Sequence, residues 1–189
     1  MAKIHNLIRA LVAEGERKNS TVRIYPGTQA TDAEIKTWEK DHGYTLPTDY
    51  ACYLTSVGAC KLHGTVPEHD HDYSLKLYSL KQLGTFSELA LGNEFKGVPR
   101  SWYAIADAND GNYTIMDLNR ASDQHTDIID GFSENSGHGL FLISQSFSEF
   151  LGRAMADPHV SSGGGSLKLG TRFWSKPGGY YGEVKCDLE

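Results

Sequence analysis

The stretch PEHDHDY, residues 67 to 73, holds four side chains of the kinds that bind metal: His69 and His71 offer imidazole, Asp70 and Asp72 carboxylate. A zinc site takes three or four such ligands converging on one point. On a strand, alternation sends His69 and His71 to one face and Asp70 and Asp72 to the other, so only half the set converges. Nothing elsewhere in the sequence nominates a third ligand, and the stretch reads as a solvated loop. A metal-dependent hydrolase using His69, His71 and an additional carboxylate is the enzymatic alternative.

The next candidate is DANDGN, residues 107 to 112, with oxygen ligands at Asp107 and Asn109 in the manner of a calcium loop. In the EF-hand the glycine stands sixth and a bidentate Glu twelfth, whereas here Gly111 stands fifth and Leu118 twelfth. Asp110-Gly111 instead supplies the positive φ angles of a tight hairpin turn. Cys52 and Cys60 sit in no protease signature, no G-x-S-x-G elbow is present, and Cys52 falls off the apolar stripe of its helix as a small packing residue. SGGGS, residues 162 to 166, lacks the Lys-Ser/Thr of a phosphate-binding loop and reads as a hinge. The residue types suited to chemistry are therefore present without the spacing that chemistry requires.

The elements that position these residues follow from periodicity. Ile4, Leu7, Ile8, Leu11 and Val12 form one helical stripe that Gly15 stops. TVRIY alternates as a short strand and ends at the Pro26-Gly27 turn. Thr31 and Glu34 form a capping box, opening a helix that turns Ile35 and Trp38 inward and stops near Gly43. Leu46-Pro47 restarts the chain, because a residue before proline disfavours helix. Tyr50, Tyr53, Leu54 and Val57 then share a face, with Gly58 beyond. YSLKLYSL (73 to 80), SWYAIA, YTIMDL and GLFLIS read as strands, and FSELALGNEF as a short helix or turn. Ser146 and Glu149 form a second capping box, placing Phe147, Phe150, Leu151 and Ala154 on one helical face. Helices, then antiparallel strands, then a closing helix make an α+β fold, a mostly antiparallel sheet with helices packed against it.

The 189 residues suffice for one domain with an ordinary core. Residues 1 to 157 read as that domain. Residues 158 to 189 read as a Gly-rich extension whose Phe173, Trp174, Tyr180 and Tyr181 favour a packed arm over a disordered tail. Leu188-Glu189 has the look of a cloning scar. The three cysteines, Cys52, Cys60 and Cys186, form no C-x-x-C pair, so neither a disulfide framework nor a zinc knuckle is indicated. His5, Asn6 and Arg9 interrupt the first apolar residues, so no signal peptide is expected, and no run approaches the roughly 20 apolar residues of a membrane span. The expected location is cytoplasmic.

Charge is concentrated. Asp107, Asp110, Asp117, Asp123, Asp127, Asp130 and Glu134 are opposed within their segment by Arg120 alone, a local balance equal to the net charge of −6 carried by the whole chain. Such a surface repels nucleic acid phosphates and steers a basic partner inward. The plainer reading is that these carboxylates solvate loops and strand ends.

The succession of elements resembles the SMI1/KNR4 family, also called the SUKH superfamily, over roughly residues 31 to 156. The matching positions are Leu46, Pro47, Asp49, Tyr50, Leu54 and Gly58, then Asp110, Gly111, Asn112, Asp117 and Leu118, then Ser146, Phe147, Phe150 and Leu151. Two features depart from the pattern: Gly58-Ala59-Cys60 replaces the usual Asn-Gly after the second helix, and the tail beyond 157 has no counterpart. The resemblance implies a scaffold without a catalytic site, metal or cofactor. Many bacterial members look like immunity proteins that bind and neutralise a polymorphic toxin. A fungal branch is associated with cell-wall synthesis and signalling, so a regulatory or scaffolding domain is the second reading. A basic toxin domain is the implied partner, and Asp107, Asn109, Asp110, Asp123 and Asp127, together with Trp174 and Tyr181 of the tail, are the expected contact residues.

Overall fold

The computed structural model describes residues 2–18, 20, 22–66, 71–89, 98–108, 113–122, 125–131, 140–156 and 182–184. Helix α1 (Ala2–Gly15) buries Ile4, Ile8 and Leu11 of its apolar stripe. A short strand β1 (Val22–Ile24) leads into α2 (Asp32–His42). The capping box is formed as expected: Thr31 Oγ1 accepts from Glu34 N at 3.2 Å and Glu34 Oε2 accepts from Thr31 N at 2.8 Å. Gly43 ends the helix at φ 75°, a left-handed conformation that glycine adopts without a Cβ penalty. Leu46-Pro47 redirects the chain into α3 (Thr48–Ser56), and Glu39 holds the corner by accepting from Leu46 N at 2.8 Å.

The remaining elements are β2 (Cys60–Val66), β3 (His71–Leu77), a 3₁₀ turn (Leu80–Gln82), β4 (Gly84–Thr85), α4 (Phe86–Leu89), β5 (Trp102–Ala108), β6 (Tyr113–Asp117), a second 3₁₀ turn (Leu118–Arg120), β7 (Ile128–Gly131), β8 (Leu140–Ser144), α5 (Phe147–Ala156) and β9 (Gly182–Val184). All pair antiparallel in one sheet ordered β1-β2-β3-β5-β6-β7-β8-β9, with β4 pairing to β5 beside β3. Strands β2, β4, β7 and β9 were not anticipated from sequence. The last comes from the C-terminal extension and pairs Gly182, Glu183 and Val184 with Leu142, Phe141 and Leu140.

One core joins α1, α2, α3 and α5 to one face of the sheet, through residues such as Leu11, Trp38, Tyr53, Leu54, Phe150, Leu75 and Ile143. Alternation in β5 to β7 sends Trp102, Ile115 and Ile129 to the opposite face, where Phe86 of α4 covers them. Between α3 and β2, Gly58 holds φ +77°, and a Cβ there would stand 2.4 Å from the backbone carbonyl of Thr28. Only glycine permits that approach, through which the loop after β1 is bonded: Thr28 Oγ1 accepts from Ala59 N at 2.8 Å, and Leu54 O from Ala30 N at 3.0 Å. Among the described residues no helix is long and apolar enough to cross a membrane.

Candidate protein-interaction face

The acidic segment is laid along β5, β6 and β7, and the register of the three strands fixes where each carboxylate stands. Asp107 lies at the end of β5, opposite Tyr113 of β6 on one side and Lys76 of β3 on the other. It is partly exposed and forms a loose ion pair with Lys76 Nζ at 3.9 Å. Burial raises the pKa of the neighbouring Tyr78 hydroxyl, and its hydrogen bond to Asp107 adds to the rise.

Asp117 and Asp127 stand at the other end of β6, bonded to each other through the backbone by Asp117 N to Asp127 O at 3.0 Å. Four residue steps along β6 separate the two groups by roughly 13 Å at about 3.3 Å per residue. Among the described residues the carboxylates therefore stand in two separate groups. Asp117 caps the second 3₁₀ turn, its Oδ1 accepting from Asn119 N at 3.0 Å and Ser101 Oγ at 2.8 Å. Asp127 faces Arg120 Nη1 at 3.1 Å and His125 Nε2 at 3.5 Å.

Asp127, expected among the partner contacts, is enclosed by these neighbours. It is 8% exposed and its charge is opposed by Arg120. Asp117 and Asp130 are buried as well, because each falls at a strand position that its neighbours cover. Asn109, Asp110, Asp123, Trp174 and Tyr181 lie outside the described residues.

The same is true of His69 and Asp70, while His71 and Asp72 open β3. Among the described residues no group of three or more His, Cys, Asp or Glu is disposed to hold a metal ion. Burial pushes the Cys60 thiol up to about 12, against the opposing effect of the Tyr53 hydroxyl bonded to its Sγ at 3.4 Å. At neutral pH it is protonated, which suits packing and not nucleophilic attack. Cys52 Sγ lies 3.7 Å from His5 Nδ1 on the seam of α1 and α3.

A concave surface that periodicity did not reveal lies on the outer side of α2. The groove, of about 460 Å³, runs between α2, the Gly27–Ala30 loop and the Leu80–Gln82 turn. Ala30, Trp38 and Leu80 are its buried floor, and exposed Glu34, Thr37 and Asp41 form the helix-side rim. Trp38 is clamped from two sides. His42 stacks on it at 4.2 Å, its Nδ1 2.7 Å from Trp38 O, and Tyr103 meets its edge at 5.1 Å. In sequence Trp38 signals only a core position. The polar residues at 34, 37 and 41 that share its side of the helix are the trace of a rim.

The family motifs also meet in space. Asp49 Oδ2 accepts from Ser148 N at 2.6 Å, and Tyr50 and Tyr53 pack on Phe147 with ring centroids 4.8 and 5.0 Å apart. The Leu-Pro-x-Asp-Tyr and Ser-Phe-x-x-Phe-Leu signatures are two halves of one joint. Comparison with curated protein sequences gives no match. The family model for SMI1 / KNR4 (SUKH-1) matches residues 29–153, from the loop before α2 through most of α5. That span contains both halves of the joint and the whole acidic segment, and the chain belongs to the SMI1/KNR4 family.

Proposed function

We propose that the chain is a non-enzymatic immunity protein of the cytoplasm, which binds one cognate polymorphic toxin and neutralises it. The observation that carries this reading is family membership over residues 29–153. The net charge of −6 favours a basic partner, since complementary fields raise encounter rates and disfavour nucleic acid. Residues 1–157 serve as the body of the molecule and 158–189 as an arm.

The test is coexpression with a toxin domain, sought first among the genes beside the one that encodes this chain. Wild-type protein restores growth and co-purifies one-to-one with the toxin. Growth arrest despite normal expression of the soluble chain overturns the immunity reading and leaves a regulatory or scaffolding domain in its place.

A further inference from the structure

The acidic strands offer a partner little free charge, whereas the groove beside α2 offers a carboxylate that, among the described residues, has no partner. Glu34, Trp38 and Asp41 follow one another along one side of the helix at intervals that align side chains across successive turns. Glu34 is already engaged: its Oε2 accepts from both Thr31 N and Thr31 Oγ1, and these bonds, with a smaller contribution from Lys81, lower its pKa. Asp41 is exposed and makes no hydrogen bond or ion pair among the described residues, yet it lines the groove beside Trp38.

We propose that this groove receives an arginine from an extended segment of the basic partner, its guanidinium paired with Asp41 and its aliphatic stem laid along the apolar floor of Ala30, Trp38 and Leu80. The inference rests on the toxin-binding reading and names where and by what chemistry the partner is gripped. Arginine fits the combination better than lysine does. Its planar fork meets a carboxylate in a bidentate pair, and it is more weakly hydrated than an ammonium. Lys81, on the opposite wall, disfavours a second cation, so one arginine is held. Acidic segments are repelled by Glu34 and Asp41 together.

The probe is the capped tripeptide acetyl-Gly-Arg-Gly-amide, titrated into the full-length chain and followed by amide and indole chemical shifts. Shifts centred on Trp38, Asp41 and Lys81 are expected, with lysine and citrulline peptides binding more weakly. Asp41→Asn leaves the melting temperature unchanged and weakens arginine-peptide binding by roughly tenfold, the scale of one charge-assisted pair. Equal shifts from the citrulline or lysine peptide, shifts centred elsewhere, or undiminished binding by Asp41→Asn overturn the proposal. So does a concentration-dependent dimer that Asp41→Asn breaks, since the occupant is then a second copy of the chain.

With the cognate toxin in hand, Asp41→Asn lowers its affinity at least about tenfold whereas Asp107→Asn does not. If wild-type protein neutralises the toxin and Asp41→Asn binds it equally well, the groove is wrong and the immunity function stands. If the arginine peptide binds as expected and the toxin is ignored, the site stands and the immunity function falls.

Discussion

Asp49, in the first turn of α3, accepts a 2.6 Å hydrogen bond from the backbone N–H of Ser148, 99 residues away in the first turn of α5. The first turn of a helix has N–H groups without internal partners and a partial positive charge, both of which a buried carboxylate satisfies. Ser146 Oγ accepts from Glu149 N at 3.1 Å beside it, and Glu149 Oε2 reaches back to Gln145 N at 3.0 Å. Asp49→Ala therefore strands a buried donor and costs about 1–3 kcal/mol in urea unfolding. Asp49→Asn keeps an acceptor there and costs less. An Asp49→Ala variant as stable as wild type would show that the joint is incidental.

Leu54 is fully buried on α3, where the stripe Tyr50, Tyr53, Leu54 and Val57 faces the core. Leu54→Ala costs about 2–5 kcal/mol by lost transfer energy and the cavity left behind. The same variant lowers partner affinity only in proportion to the folded fraction, which calorimetry at two temperatures separates from a direct contact.

Gly58→Ala meets two penalties at once, a left-handed backbone and a Cβ 2.4 Å from the Thr28 carbonyl. The loss expected is more than about 3 kcal/mol, near the upper end for single substitutions. Gly43 holds a similar φ of 75°, but a Cβ there would meet nothing within 4 Å, so Gly43→Ala costs less. Equal melting temperatures for the two variants would remove the close approach as the cause.

Cys60 holds its proton in the folded chain to about 12, well above the thiol of an unfolded one at about 8.5. A group whose pKa is raised by folding contributes stability in full below its unfolded pKa, and that contribution declines as pH rises toward the folded value. Thermal melts of wild type and Cys60→Ala should therefore converge between about pH 8.5 and 11. In a Cys52→Ser, Cys186→Ser background, Ellman's reagent at pH 8 leaves Cys60 unmodified until denaturant is added. Immediate labelling of the native protein contradicts its burial.

The two ends of β6 give carboxylates of different character. Asp107→Ser changes stability by no more than about 0.5 kcal/mol, as a partly exposed position with one loose ion pair. Asp127→Ala removes the partner of Arg120 and His125 and costs about 1 kcal/mol, limited by the solvent that screens Arg120. Neutralising Asp107 slows association with a basic partner slightly and flattens its salt dependence, because an exposed charge acts through the long-range field. Stopped-flow association at two salt concentrations measures both effects.

Local chemistry alone determined much of the frame. The helix stripes, the Thr31–Glu34 capping box, the stop at Gly43, the restart at Leu46-Pro47 and the strands on either side of DANDGN each depend on residues a few positions apart, so their signals survive in one dimension. Strand β9 carried no such signal, because a three-residue strand is defined by the partner it pairs with, here β8. The acidic segment was legible as composition, but the burial of Asp117, Asp127 and Asp130 was not. Whether a carboxylate is free or enclosed is set by which strands flank it, and only the register of β5, β6 and β7 put Asp107 near solvent and Asp127 beside Arg120. The groove was decided wholly by tertiary structure. Its walls come from residues 27–30, 33–42 and 79–81, and the helical period that turns Trp38 inward does not say that a loop and a 3₁₀ turn will stop short of covering it.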